Sequence, residues 1–326
     1  MLEIELETAR RAVGAAMRIT RRVQADMTGS DTLTKEDRSP VTVADFASQA
    51  IICSILNREL PDIPIVAEES AAALRRPENR NIRDRVALYL QSTPGDSEMD
   101  PETIFNLIDL GNHLPGARFW TLDPIDGTKG FLRGEQYAVA LGLIDQGSVE
   151  IGLLGCPNLE RGGIAEQRGC LVTAVRGQGA WIESPEGKSR RKCRISPASD
   201  PGKMRFVESY VSSHSNADMQ LAVARDLGIR GNPVRMDSQV KYAVVASGDA
   251  EIYLRIPHPK TPDYKEKIWD HAAGSLIVTE AGGRVSDIDG RPLDFSAGKT
   301  LANNRGILAT TSEMHERVIQ AIARQG

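Results

Sequence analysis

Trp120-Thr121-Leu122-Asp123-Pro124-Ile125-Asp126-Gly127-Thr128-Lys129-Gly130 joins an apolar run to a pair of carboxylates, and the rest of the chain makes sense around it. Phe119, Trp120 and Leu122 read as the end of a buried strand, with Asp123 where the strand should give way to a loop. Pro124 fixes the backbone, Gly127 permits an unusual backbone angle, and Thr128 adds a hydroxyl. Two carboxylates three residues apart on so stiff a frame can point at one centre. At about 4 Å their repulsion is roughly 1 kcal/mol in water and about 4 kcal/mol at an effective dielectric of 20, so a cation between them is expected. Hard divalent cations with oxygen ligands, Mg²⁺ above all, suit such a site. The N–H groups of Gly127 and Thr128, if they open a helix, would hold a phosphate. The stretch thus points to metal-assisted phosphate chemistry. The bland alternative is an Asp-Gly turn whose aspartates merely cap loops.

Composition narrows the setting. With 326 residues, the chain can bury a sizeable core as one large or two moderate domains. Apolar content of 40% and charged content of 26% are ordinary for a soluble globular protein. A net charge of −4 gives no global reason to bind nucleic acid or an anionic membrane. Cys53, Cys156, Cys170 and Cys193 are scattered without a C-x-x-C pair, which favours a reducing compartment over a disulfide frame or a zinc site. No run approaches the roughly 18 apolar residues of a membrane span. Five arginines between Arg10 and Arg22 suggest a transit peptide, but Glu3, Glu5 and Glu7 argue against one, so cytoplasmic placement is expected.

Residues 2–26 read as an amphipathic helix, with Leu6, Ala9, Val13, Ala16, Met17 and Thr20 on one face. Ser39 to Asp45 leads into a second helix, where Thr42 and Asp45 match a capping box. Asp45 is therefore either a cap or a carboxylate facing the metal cluster. Pro64 to Ala67 is a short buried strand followed at once by Glu68-Glu69-Ser70, and acids in that place are positioned as ligands are in layered α/β folds. Residues 71–118 read as an insertion of two helical pieces whose arginine run is a solvated face.

After the central stretch the period becomes two. Tyr137, Val139, Leu141 and Leu143 alternate with Ala138, Ala140, Gly142 and Ile144. Val149–Leu154, Gly162–Ala165, Cys170–Val175 and Ala180–Glu183 continue an antiparallel meander. The polar tract 184–203 is the expected boundary between a unit at 1–195 and another at 196–326. The second half alternates strands and helices, as an α/β layer does. It also carries candidate ligand contacts. Ser212 to Ser215, including His214, follow a strand. Ser238 stands at a helix start, and Lys241 one turn in could reach a phosphate. Arg255 ends an apolar strand, an expensive place for a charge without an anionic partner. Asp270 is an N-cap or a metal ligand.

Asp123-Pro124-Ile125-Asp126-Gly127-Thr128, Ala67-Glu68-Glu69-Ser70 and Trp269-Asp270-His271-Ala272-Ala273-Gly274 resemble the three signature motifs of the inositol monophosphatase superfamily of lithium-sensitive, Mg²⁺-dependent phosphatases. The run Lys129 to Val139, with Ser39 to Asp45 and Gly155 to Leu159, resembles the 3′(2′),5′-bisphosphate nucleotidase branch. The resemblance implies an αβαβα layered sandwich of mixed α+β and α/β character. It implies that Glu68, Asp123, Asp126, Asp270 and the Ile125 carbonyl are Mg²⁺ ligands, with two to three ions in the site. Asp45 would help place the weaker ion and orient Thr128. His214, Ser238, Lys241 and Arg255 match positions that hold the nucleotide. Ala67 departs from the family's usual glycine, which an alanine tolerates if the backbone angle there is ordinary.

The implied reaction removes the 3′-phosphate of adenosine 3′,5′-bisphosphate to give AMP, and of 3′-phosphoadenylyl sulfate to give adenylyl sulfate. A metal-activated water oriented by Thr128 attacks, and the N–H groups of Gly127 and Thr128 hold the phosphoryl oxygens. Small molecules are the expected partners, not nucleic acid or membrane, and a monomer is expected. The competing enzyme readings are an inositol polyphosphate 1-phosphatase or an inositol monophosphatase. The reading from another class is a catalytically silent nucleotide sensor, which would need no nucleophile-orienting hydroxyl.

Overall fold

The computed structural model describes residues 2–27, 32–34, 40–91, 100–160, 168–185, 187–197, 200–210 and 215–325. The N-terminal apolar stripe forms α1 (Glu3–Asp26), burying Ala9, Val13, Ala16 and Met17. The strands β1 (Thr32–Thr34) and β2 (Pro40–Thr42) pair antiparallel and lead into α2 (Val43–Glu59). The capping box read from the sequence starts this helix. Thr42 Oγ1 accepts from the Ala44 N–H, and Asp45 Oδ2 accepts from the Thr42 N–H at 2.8 Å. After β3 (Ile65–Ala67) come the two expected helical pieces, α3 (Arg80–Gln91) and α4 (Pro101–Asp109), the second capped by Asp100.

The central stretch forms β4 (Arg118–Asp126) and a short α5 (Thr128–Leu132). The meander follows as β5 (Ala138–Asp145), β6 (Ser148–Cys156), β7 (Cys170–Val175), β8 (Gly179–Glu183) and β9 (Arg190–Lys192). The strand expected at 162–165 lies outside the described residues. The tract read as a boundary, 184–203, contains β9, an exposed edge strand of Arg and Lys. Edge strands carry such charges against stray pairing, and with no apolar face they look like linker. The large sheet runs β3 to β9 in chain order, with β3 parallel to β4 and every later neighbour antiparallel.

The second half supplies β10 (Phe206–Glu208), α6 (Ala217–Leu227), β11 (Val234–Arg235), α7 (Val240–Ala246), β12 (Ile252–Arg255), α8 (Ala272–Glu280), β13 (Gly283–Ser286), β14 (Ile307–Thr311) and α9 (His315–Ala323). Its strands form a second sheet of order β11-β10-β12-β14-β13. The helices α1 and α2 cover one face of the large sheet. Between the sheets lie α7 and α8, and α6 and α9 cover the far face of the small one. This is the expected αβαβα sandwich. Among the described residues no helix is long and apolar enough to cross a membrane.

The period of two along β5 decides how close the layers stand. Val139, Leu141 and Leu143 face the core under α1 and α2, while Ala138 and Ala140 face the core under α8. Small residues on that second face let α8 lie against the sheet. A Cβ on Gly152 of β6 would stand 2.7 Å from the Ala273 carbonyl oxygen. On its other side α8 presses Gly274 against the ring of Tyr242 on α7. The front of α8 is thereby wedged at the C-terminal mouth of β3 and β4.

Candidate active site

Parallel pairing places the first two carboxylates. Ala67 of β3 pairs with Leu122 of β4, so Glu68 and Asp123 are the next residues of adjacent strands, with the Glu68 N–H donating to the Leu122 carbonyl at 3.1 Å. Gln49 of α2 clamps this end. Its side-chain amide donates to the Glu69 carbonyl at 2.7 Å, and its oxygen accepts from the Glu69 N–H at 3.1 Å. The strand does not stop at Leu122, as the sequence suggested, but continues to Asp126. Residues three apart in a regular strand face opposite sides. Here Asp123 opposes Ala140 and Asp126 opposes Ala138, three steps against two, so a bulge at Pro124–Ile125 inserts one residue and brings Asp126 round to the side of Asp123. Ser48 of α2 holds the bulge by donating to the Pro124 carbonyl at 2.9 Å. Within it, Asp123 Oδ1 accepts from the Ile125 N–H at 3.0 Å, and the Thr128 hydroxyl donates to the Ile125 carbonyl at 3.2 Å.

The second half closes over this bulge. Gly127, at φ +86°, passes so near Ser238 that a Cβ on it would meet the Ser238 Cβ at 2.8 Å. Ser238 itself holds φ +67°, an uncommon conformation for a serine. The Gln239 N–H that follows donates to Asp126 Oδ2 at 2.7 Å. Asp270 arrives in the turn Ile268–Asp270 ahead of α8. That helix has His271 at its N-cap position and no side-chain capping bond, so Asp270 is not its cap.

Glu68, Asp123, Ile125, Asp126, Gly127, Thr128, Ser238, Lys241, Arg255 and Asp270 all line one cleft of about 260 Å³. Asp45 lies behind it, only 1% exposed, with one oxygen in the capping box and its charge felt at Asp123. His214 lies outside the described residues. Burial pushes the Asp123 carboxyl well above the usual range, and Glu68, Asp126, Asp270 and Asp45 add to the effect. Asp270 is pushed up by burial and then by Asp126. Burial raises Asp126 as well, against the pull of Lys241 and the Gln239 N–H. Buried acids that repel one another and offer only oxygen donors fit a hard divalent cation.

Among the described residues, a tighter set of metal-ligand atoms lies next door, where Glu266, Asp270 and His271 come within 4.8 Å of one another. Its donors are already engaged. Glu266 contacts Arg255 and His271, and the other His271 nitrogen contacts Tyr242, so this set is a polar network abutting Asp270 and not a cation cage.

The same cleft is lined by cations. Lys241 is buried on the first turn of α7, donates to Ser209 Oγ at 3.2 Å and sits 5.3 Å from the Tyr253 ring centroid. Burial lowers its pKa to about 8, against the attraction of Asp126. The anionic partner that Arg255 required is Glu266, at 2.8 Å. Glu266, Gln49 and Gln239 went unnoticed in the sequence. Gln49 and Gln239 did carry a signal, a polar residue set inside or at the edge of an apolar run, whereas Glu266, between Lys265 and Lys267, carried none.

The inositol monophosphatase family profile matches residues 1–326. The chain is 42% identical over 336 residues to a 3′(2′),5′-bisphosphate nucleotidase of Oryza sativa, an alignment covering 98% of this chain and 93% of that protein. It is 39% identical over 336 residues to a 3′(2′),5′-bisphosphate nucleotidase of Schizosaccharomyces pombe, covering 98% and 94%. Among solved structures, a Thermotoga maritima IMPase superposes with a TM-score of 0.67 at 19% identity, over 98% of this chain and 97% of that one. CysQ of Bacteroides thetaiotaomicron superposes with a TM-score of 0.62 at 20% identity, over 94% and 97%. These two superpositions speak for the fold alone. By its full-length match, the chain belongs to the inositol monophosphatase family, which is generally metal-dependent.

Proposed function

We propose that this chain is a Mg²⁺-dependent 3′(2′),5′-bisphosphate nucleotidase that hydrolyses the 3′-phosphate of adenosine 3′,5′-bisphosphate to give AMP, and of 3′-phosphoadenylyl sulfate to give adenylyl sulfate. One observation carries the reading: a cleft lined by clustered acids is lined as well by two cations, Lys241 and Arg255. The acids suit metal ions and the phosphoryl group being transferred, and the cations suit a second anionic group on the same small molecule. Relatives that match this chain over nearly its whole length carry the same activity in their names.

Glu68, Asp123 and the Ile125 carbonyl would hold one Mg²⁺, and Asp123, Asp126 and Asp270 a second, with Asp45 serving a weaker third. When bound, such ions supply an acidified water and positive charge for the oxygens that gain charge in the transition state. Thr128, polarised by Asp45, would orient the attacking water. The N–H groups of Gly127 and Thr128 would hold the phosphoryl oxygens, and the stiff bulge would keep them in line with the ester bond that breaks. Ser238, Lys241, Arg255 and His214 would bind the 5′-phosphate and the nucleoside.

The test is phosphate release from adenosine 3′,5′-bisphosphate beside AMP, 3′-AMP, inositol 1-phosphate and inositol 1,4-bisphosphate, with Mg²⁺ alone and with added Li⁺. Fast, lithium-sensitive release from the 3′,5′-bisphosphate, with AMP left intact, is expected. Preference for an inositol phosphate would overturn the roles given to Ser238, Lys241 and Arg255. Nucleotide binding without release would overturn the enzyme reading in favour of a sensor.

Lys241 also predicts a pH effect. Its pKa of about 8 leaves it charged at neutral pH and uncharged above that value. KM for the bisphosphate should therefore rise as pH increases through 8. Lys241→Met should raise KM about tenfold at pH 7, the scale of one hydrogen bond to a charged group, and should flatten the rise. An unchanged pH profile in the variant would remove Lys241 from the phosphate site.

A further inference from the structure

Glu266 stands outside the acid cluster, and the proposed reaction gives it no part. It precedes the Ile268–Asp270 turn and is 6% exposed. Its backbone is pinned by the Leu301 N–H, which donates to its carbonyl at 2.8 Å. Both carboxylate oxygens are engaged: Oε1 lies 2.8 Å from Arg255 Nε, and Oε2 lies 3.2 Å from His271 Nε2. The Arg255 contact is ionic and not a well-aligned hydrogen bond. His271 Nδ1 lies 2.8 Å from the Tyr242 hydroxyl. Burial works to raise the pKa of Glu266, but Arg255 and His271 overcome it and hold the carboxyl below its ordinary range. A carboxylate only accepts, so the ring proton belongs on Nε2, and Nδ1 accepts from the Tyr242 hydroxyl.

The position of Arg255 gives this network its meaning. Its side chain, 23% exposed, lines both the metal cleft and an adjoining cavity of about 180 Å³ that Ser209, Tyr210 and Ser215 also line. Arg255 thus belongs to the wall between the two spaces. The charges of Asp270 and Asp126 act on it and it on them. A guanidinium released from Glu266 would be drawn towards those carboxylates, in competition with the cations they serve. An ion pair this deep is a poor device for stability alone, because matched apolar residues commonly do as well. Holding a long, rotamer-rich side chain in its binding geometry before the ligand arrives is what such a pair does well.

We propose that Glu266 is a positioning residue that holds Arg255 in the wall of the cleft as the reader of the substrate's second phosphate, while setting the tautomer of His271 beside Asp270. The proposal rests on the functional reading above. It is tested with Glu266→Gln, Arg255→Lys and the double variant, each assayed with Mg²⁺ on adenosine 3′,5′-bisphosphate and on 3′-AMP, which lacks the 5′-phosphate. Glu266→Gln should raise KM for the bisphosphate about tenfold, with kcat changed less than threefold and a much smaller effect on 3′-AMP. The double variant should be no worse than Arg255→Lys within about twofold, because the two residues act as one unit.

The ¹⁵N shifts of the His271 ring provide a reading independent of activity. They should report the Nε2-protonated tautomer in the wild type and a shift towards Nδ1 in Glu266→Gln, a change that loss of stability alone would not produce. Independent, multiplying KM effects, or equal losses on both substrates, would overturn the proposal. A wild-type KM in Arg255→Lys would also overturn it, while leaving the functional reading intact as long as the wild type still cleaves the bisphosphate. Failure of the wild type to cleave any of the substrates would bring down that reading instead.

Discussion

Asp123→Asn lowers kcat/KM by about 1,000-fold or more, the loss of about 4 kcal/mol of transition-state stabilisation expected when a shared metal ligand is removed. The same substitution makes the metal-free protein more stable. Asp123 is 2% exposed, and burial with four neighbouring acids drives its pKa far up. The folded protein therefore binds protons more tightly than the unfolded chain does. The stability this contributes is fully present below the ordinary carboxylate range and is lost as pH rises through the raised native values. For the wild type without metal, the thermal midpoint should fall as pH climbs from 4 towards neutrality, and Mg²⁺ should restore it. Asparagine removes one of the repelling charges and keeps an oxygen to accept from the Ile125 N–H, so the variant's midpoint should be higher than that of the wild type at pH 7 and less dependent on pH. Thermal unfolding with and without Mg²⁺, beside steady-state kinetics, reads both effects. A variant that kept a tenth of wild-type activity would end the ligand assignment, and a lower metal-free midpoint would end the claim of charge strain.

Gly274→Ala produces the largest structural effect, about 3 kcal/mol, at the upper end of what overpacking usually costs. The added Cβ would stand 2.2 Å from Cδ2 of Tyr242. That ring cannot withdraw, because it is fully buried, its hydroxyl meets His271 Nδ1 at 2.8 Å, and its edge meets Tyr253 with centroids 5.0 Å apart. Nor can α8 retreat, since its Ala273 carbonyl already fills the space above Gly152. The strain should reach Asp270, one turn upstream, and lower kcat by roughly 100-fold, the scale of a 1 Å misplacement of a reacting group. Urea unfolding and kcat at saturating Mg²⁺ test the two parts. A Gly274→Ala protein within about 0.5 kcal/mol of the wild type would show that α8 is not wedged.

Much of the site could be read in the sequence because its cues are local. Thr42 and Asp45 announce a capping box through their own spacing, and the box forms. The alternation along residues 137–144 depends only on the two-residue period of a strand, and it divides Val139, Leu141 and Leu143 from Ala138 and Ala140 as expected. Glu68 and Asp123 each follow a short apolar run, so an acid just past a strand could be foreseen for Glu68, while the continuation of β4 beyond Asp123 could not. The charged edge strand β9 could not, because its three basic residues carry no burial pattern. Glu266 was equally hidden, since nothing within the tract from Pro257 to Lys267 says that one of its acids is buried against Arg255.

The sequence by itself determined which acids and cations are candidates for the chemistry and the local elements most of them sit beside, since caps, turns and periodicity act over a few residues. The tertiary structure alone decided that those residues meet. The parallel register of β3 and β4 sets Glu68 beside Asp123, and an extra residue against the partner strand turns Asp126 to the same side. Contacts of α8 with Gly152 and of Gly274 with Tyr242 fix where Asp270 stands. These depend on pairing and packing between segments far apart in the chain, and no short-range rule of backbone preference encodes such distances.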